Sequence, residues 1–471
     1  MARLPLWLVL LPMLFATASP AREAKTPVPG LPPYGPDRSL VLPQVERTRL
    51  DNGLQLWQVG RPGLPLVALR LVIQGGTAWD PDEMRGLSEL LADTLAAGTR
   101  HHDARALAQT LQAQGAELSV SADDDGIVLS LTGLTDGLET LVALLAEVAR
   151  EPRFPADEVA LAVTNKRQAL QAQRNDPDFI TTTIFHRTLF GDHPYAYTHP
   201  SETVLDGTTP QRLATLHRSR FHPDRALLVA VGDFEPARLR ALVAHHFGDW
   251  PASGRPLPER PLAPQAPATT RLQLTNRPGS VQSTLRLGHP LPPADDPDHP
   301  ALQVANTLLG GAFGSRLVRN LREKKGYTYS PGSRIRRLRL GGVFWAQASV
   351  RNEVTAAALV EMRYELDRLA AAGPEPDELE RGKRYLKGRF LLRNETAASL
   401  ADTLAAYWLK GLDMEDLRRY VPRIQAVTTE AVRTAAARHF VAGRQAVVIT
   451  GDAKAIRDRL TPFGPIDEIQ P

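Results

Sequence analysis

Residues 86–99 read Gly86-Leu87-Ser88-Glu89-Leu90-Leu91-Ala92-Asp93-Thr94-Leu95-Ala96-Ala97-Gly98-Thr99. On a helix, Glu89 and Asp93 stand four positions apart and share one face. Two carboxylates so placed could grip a cation, but without an imidazole they favour a hard ion held weakly. A solvated or arginine-paired acidic face is the expectation. The 12 histidines offer nothing stronger, since none sits at helical spacing from a second histidine with a usable carboxylate. His101 and His102 fall in a polar loop, and His245 and His246 near a helix end, all expected on the solvated surface. No nucleophile and base stand together in a pattern that would replace a metal. Gly310, Gly311 and Gly314 make a glycine-rich stretch, but no Lys-Ser/Thr follows at the spacing a phosphate loop needs.

Whatever these residues do, the chain around them can build substantial cores. It has 471 residues, 43% of them hydrophobic, which is more than one compact domain holds. A formal charge of only +4 with no long basic run excludes a nucleic-acid reading. Residues 1–21 carry Arg3, an apolar run from Leu4 to Phe15 and small residues ending at Ala18 or Ala21. That pattern predicts an export signal, cleaved after one alanine or the other. Periplasmic location is the first expectation and secretion the alternative. With no cysteine there is neither a disulfide scaffold nor a lipid-anchoring thiol, and no other segment has membrane-spanning length without charges. No membrane anchor is therefore expected after signal cleavage.

Two proline-rich stretches divide the rest. Residues 22–43 are expected to be an irregular leader, and the proline-rich 251–269 an extended linker, since neither a helix nor an inner strand accommodates so many prolines. The halves 44–250 and 270–465 look like copies. Phe221, Arg225, Gly232 and Asp233 recur as Phe440, Arg444, Gly451 and Asp452, each 219 positions later, and Thr209 and Thr428 open the helices before them as caps. Strands are expected at 66–74, 117–122, 127–133 and 226–232, and helices at 103–114, 138–150, 156–174 and 377–394. Leu359, Met362, Leu366 and Leu369 recur at helical spacing. The fold class is α+β, with two homologous α/β sandwich domains of mostly antiparallel sheet and packed helices.

The 86–99 segment resembles the one that carries His-x-x-Glu-His in the insulinase (pitrilysin) family of zinc metallopeptidases. Both glycines, the leucine spacing and the closing Gly98-Thr99 agree. Asp51-Asn52-Gly53-Leu54, Phe154-Pro155, Asn175-Asp176-Pro177 and His193-Pro194-Tyr195 match further motifs of the family in order. In that family two histidines one turn apart hold zinc, and the glutamate between them polarises the metal-bound water. Glu89 and Asp93 stand where those histidines would be, Ala92 where the base would be, and the third ligand counts to Ala169. The resemblance thus implies a degenerate metal position, with no metal or cofactor in this chain.

The same resemblance implies that the chain forms one half of a clamshell. Arg322 and Tyr329, seven positions apart, match a pair that reaches the zinc site from the second domain and grips the substrate backbone. A guanidinium fork and a phenol suit a peptide carbonyl. The alternative is purely structural, with Arg322 ending an amphipathic helix and Tyr329 packed in a strand. The glycines at 310, 311 and 314 could form a substrate-touching loop or merely permit close packing. The expected function is a non-catalytic, substrate-binding subunit. Its partner would be an active sibling that supplies His-x-x-Glu-His and zinc, and its substrate a peptide or unfolded polypeptide. A peptide-binding or scaffold protein with no part in proteolysis is the alternative.

Overall fold

Long apolar runs become inner strands of two sheets in the computed structural model, which describes residues 43–470. The expected export signal and all but the last residue of the leader lie outside the described residues. The first sheet contains β1 (Glu46–Arg49), β2 (Gln55–Gly60), β3 (Leu66–Gln74), β4 (Glu117–Ala122), β5 (Gly126–Leu134) and β6 (Ala226–Gly232), in the order β1-β2-β6-β3-β5-β4. The second contains β7 (Leu272–Asn276), β8 (Gln282–Leu291), β9 (Gly332–Leu338), β10 (Gly341–Arg351), β11 (Ala446–Gly451) and β12 (Ile466–Glu468), in the order β12-β7-β11-β8-β10-β9. Both are mixed: β2 pairs with β6 in parallel, as β7 does with β11, while most other neighbours are antiparallel.

The repeat seen in the sequence is a repeat of topology. Leu228 faces Leu71 in the first sheet, and Val447, 219 residues on, faces Leu287 in the second. Thr209 accepts a hydrogen bond from the Arg212 amide and Thr428 one from the Ala431 amide, so both act as helix caps. The copies differ at one edge, where the first half uses its N-terminal strand and the second its C-terminal strand.

Each sheet buries one face under helices of its own half, forming two separate apolar cores. The other face is covered reciprocally. The Pro177–Phe190 helix of the first half lies on β8 and β11, and the Ala397–Leu409 helix of the second lies on β3 and β6. Asp176 with Pro177, and Thr396 with Ser399, cap the starts of these two helices. Polar ties fix both. Thr181 bonds Thr450 at 2.7 Å, Arg286 reaches Thr182 and Asp178, and Arg70 pairs with Asp402 at 2.6 Å. A third apolar cluster around Phe185, Tyr195, Leu340 and Val448 seals the join. The 251–269 segment runs extended and is strapped down, with Ala263 bonding the Leu340 carbonyl and Pro258 accepting from Trp79.

Candidate functional site

The Leu87–Thr94 helix begins at Gly86, whose φ is +96° and where an added Cβ would lie 2.8 Å from the Pro200 backbone, so there is no room for a side chain. Asp80, fully buried, accepts from the Gly86 and Ser88 amides at 3.0 Å and from the Ser88 hydroxyl. Burial pushes its carboxyl up, against the hydrogen bonds from Ser88 and the nearby Arg220. These contacts satisfy amides that a helix N-terminus otherwise leaves unpaired.

So fixed, the helix turns Glu89 and Asp93 toward the Ala156–Gln173 helix. Lys166 comes down between them, its Nζ 3.0 Å from Glu89 and 3.2 Å from Asp93. Sequence counting placed Ala169 opposite the pair. The structure places Lys166 there instead, one turn earlier, and leaves Ala169 exposed. Which turn of that helix faces Glu89 and Asp93 is set by how the two helices pack, and a count along the chain does not give that. The partner is also a lysine rather than the expected arginine. Burial works against the Lys166 ammonium, but the two carboxylates outweigh it and raise its pKa. Glu89 is raised, burial exceeding the help from Lys166. Ala92 is buried and offers only a methyl group where the family has its base.

These donors do not suit zinc. Both carboxylates are committed to one ammonium, whose charge would repel a second cation. Among the described residues, no group of three or more His, Cys, Asp or Glu side chains is placed to share a metal ion.

The second constellation lies beyond β8. The His299–Asn306 helix widens into π-type turns over Thr307–Gly311, and a second wide turn spans Val318–Lys324. Such turns recur at functional sites because they re-aim side chains. This stretch is bolted down. Arg316 makes a two-point pair with Glu378 at 2.8–2.9 Å, Asn320 donates to Glu361 and Glu365, and Lys325 pairs with Glu361 at 3.1 Å. The Arg322 guanidinium then lies 4.4 Å from the ring centre of Tyr329 and 5.0 Å from that of Phe313. Both rings are largely exposed, 78% and 69%, and among the described residues Arg322 has no carboxylate partner. Tyr329 lies in the irregular segment before β9, so it does not pack in a strand.

Phe313, in the glycine-rich stretch, is the member that reading the sequence missed. An apolar aromatic flanked by glycines before the Arg/Tyr pair was the available signal. The three glycines themselves separate. A Cβ on Gly310 would lie 2.4 Å from the Ser333 amide, and one on Gly311 2.8 Å from Asn306, so both serve close packing. Gly314 has open space around it.

Comparison with known proteins fits this geometry. Residues 61–199 match the insulinase (peptidase M16) family and residues 208–386 the peptidase M16 inactive domain. An uncharacterised zinc protease of Mycobacterium bovis is 27% identical over 86% of this chain and 92% of its own length. The non-peptidase homologue YmxG of Helicobacter pylori is 22% identical over 78% of this chain and 85% of its own. A crystal structure described as the peptidase M16 inactive domain from Pseudomonas fluorescens superposes with a TM-score of 0.81 and 26% identity, covering 87% of this chain and 98% of that one. A protease from Helicobacter pylori shares the fold, with a TM-score of 0.82 at 20% identity over 87% of this chain and all of that one.

Proposed function

We propose, from the premise that this chain belongs to the insulinase (M16) peptidase family, that it is a non-catalytic subunit which holds peptide for a zinc-bearing sibling. The observation that carries this reading is the Lys166 ammonium seated between Glu89 and Asp93, where the family's histidines would hold metal. Zinc and the general base then belong to the partner chain. What this chain contributes is binding. Arg322, half-buried, and the exposed Tyr329 present donors on a braced segment, and a guanidinium aimed at a peptide carbonyl both positions the chain and steadies a developing oxyanion. The outer strand β4 has an unpaired edge and alternately exposed residues, a ready surface for an added peptide strand. The export-signal pattern of residues 1–21 supports a periplasmic site of action, with secretion as the alternative.

The test is reconstitution. The mature chain alone should carry no stoichiometric zinc by elemental analysis and cleave no unfolded peptide. Mixed with a sibling of similar length that has His-x-x-Glu-His, it should co-elute through an interface on the order of 2,000 Å². Peptide turnover by the sibling should then rise. One tightly held zinc in the isolated chain overturns the reading. Co-elution without any gain in turnover moves it to the alternative, a scaffold of the same fold with no role in proteolysis.

A further inference from the structure

Between the halves lies a cavity of about 1010 Å³, at the upper end of ligand-sized pockets, about 300–1,000 Å³. The β4–β5 hairpin lines one side, and β9 with the Pro376–Arg393 and Ala397–Leu409 helices lines the other. Its charges are unevenly matched. The acids on its wall have their own partners. Asp402 holds Arg70, Asp125 accepts from Tyr195 and the Arg339 amide, and Asp123 accepts from the amides of its own turn. Arg336 is paired with Asp124. Four cations are left: among the described residues Arg337, Arg389, Arg393 and Lys410 have no carboxylate within ion-pair distance.

Two of the four, Arg337 and Lys410, are set back from solvent. Lys410 is half-buried at the end of its helix, and burial pulls its ammonium down, with Asp123 and Asp125 opposing. Arg337 is likewise depressed by burial. Tyr407 and Tyr420 line the same wall as Arg337, with Tyr420 stacked on Phe390 at 4.5 Å. Arg389 and Arg393 stand exposed, beside the exposed Leu392. Unmatched guanidinium and ammonium groups beside phenols, on a wall that is otherwise partly apolar, fit carboxylates carried on a flexible, mixed-polarity chain.

We propose that this cavity receives carboxylate groups of the bound peptide, so that the chain selects peptides bearing acidic side chains or a free C-terminus. The inference rests on the peptide-holding role above and names its substrate class. The cavity meets the peptide-accepting strand directly, since Ser121 and Asp123 at the end of β4 lie in its wall, as does Gly311 of the glycine-rich stretch. A strand added to β4 runs from that edge into the cations.

The experiment measures fluorescence anisotropy of labelled peptides with the full mature chain. One peptide has acidic side chains and an amidated end, one is neutral with a free C-terminus, one is neutral and amidated, and one is lysine-rich and amidated. Either or both carboxylate-bearing peptides should bind at least tenfold more tightly than the lysine-rich one, and the arm that gains identifies the source of the carboxylate. Arg393→Ser together with Lys410→Gln should erase most of that preference and flatten its salt dependence. Arg389→Ser alone, at an exposed position that does not threaten the fold, should lower it by severalfold. Arg418→Ser, on another surface, should change nothing. Equal binding of all four peptides, or a preference untouched by these variants, overturns the carboxylate assignment and leaves peptide holding intact. Absence of binding by every peptide removes both.

Discussion

At the residue scale, an ammonium in a metal's place makes a measurable demand on stability. Lys166 and Glu89 are about one-fifth to one-quarter exposed and Asp93 rather more. Their loss should therefore fall between that of a surface pair and a buried one, about 1–3 kcal/mol for Lys166→Met by urea denaturation. Glu89 is already raised by burial, and without Lys166 it rises further. A carboxyl raised in the folded state stabilises the fold while protonated, and that contribution is lost as pH climbs through its folded pKa. The gap between wild type and Lys166→Met should thus widen from pH 4 to pH 7.5 and close again in Lys166→Met/Glu89→Gln. A gap that stays constant with pH means the lysine acts by packing alone. Arg322→Ala should lower kcat/KM of the assembled pair about ten- to 150-fold, the worth of a charged hydrogen bond of about 1.5–3 kcal/mol. Tyr329→Phe keeps the ring under the guanidinium and removes only the hydroxyl, so its loss should be smaller. Lys324→Ala, exposed on the same turn, is the control. If Arg322→Ala dissociates the pair instead, the residue belongs to the interface.

At the element scale, the exchanged helices decide whether the halves are independent. Phe185 is fully buried in the Pro177–Phe190 helix, its ring so close over Gly288 that a Cβ there would lie 2.4 Å from it. Phe185→Ala should cost about 3–5 kcal/mol, read as a lowered midpoint of one cooperative urea transition. Two separated transitions, with only the second half affected, would show that the exchange does not couple the halves. This coupling is also where reading the sequence stopped. Strands 66–74, 117–122 and 226–232 and the helix 138–150 were legible to the residue, because each has one dominant apolar pattern and a clear stop. The Pro177–Phe190 helix escaped because Thr181 and Thr188 interrupt the apolar residues of its buried side, and the Ala397–Leu409 helix because alanine, leucine and aromatic residues run nearly all round it, which blurs the stripe of period 3.6. Nothing along the chain pointed to Lys166 as the partner of Glu89 and Asp93. The acidic pair was visible as i, i+4 spacing, but its counter-ion comes from a helix more than 60 residues away. Arg322 and Tyr329 could be picked out by family spacing, whereas Phe313 joined them only through the turn between.

At the scale of the whole molecule, the halves are also clamped electrostatically at the β4–β5 turn, and that clamp is pH-sensitive. Asp125 is buried, accepts from the Tyr195 hydroxyl at 2.8 Å and from the Arg339 amide at 2.9 Å, and Tyr195 in turn accepts from the Leu340 amide at 3.0 Å. One carboxylate of the first half thus organises the β9–β10 turn of the second. Burial, with Asp123 adding like charge, pushes its pKa up to about 7. A folded pKa above the unfolded value of 3.8 contributes stability that is complete below 3.8 and lost as pH rises toward 7. Asp125 alone should therefore make wild type less stable by up to about 1.4 kcal/mol per pH unit across that window. Asp124 and Asp80 are raised in the same sense, so the slope of wild type alone does not isolate Asp125. The difference from Asp125→Asn does. The amide gives up one acceptor toward Arg339, so the variant should be less stable at pH 4, and the deficit should shrink or reverse by pH 7. Unfolding free energies measured at several pH values between 4 and 7.5 provide the check. Parallel pH profiles for the two proteins would mean that Asp125 is ionised throughout and that the halves are held by packing, with no titrating clamp between them.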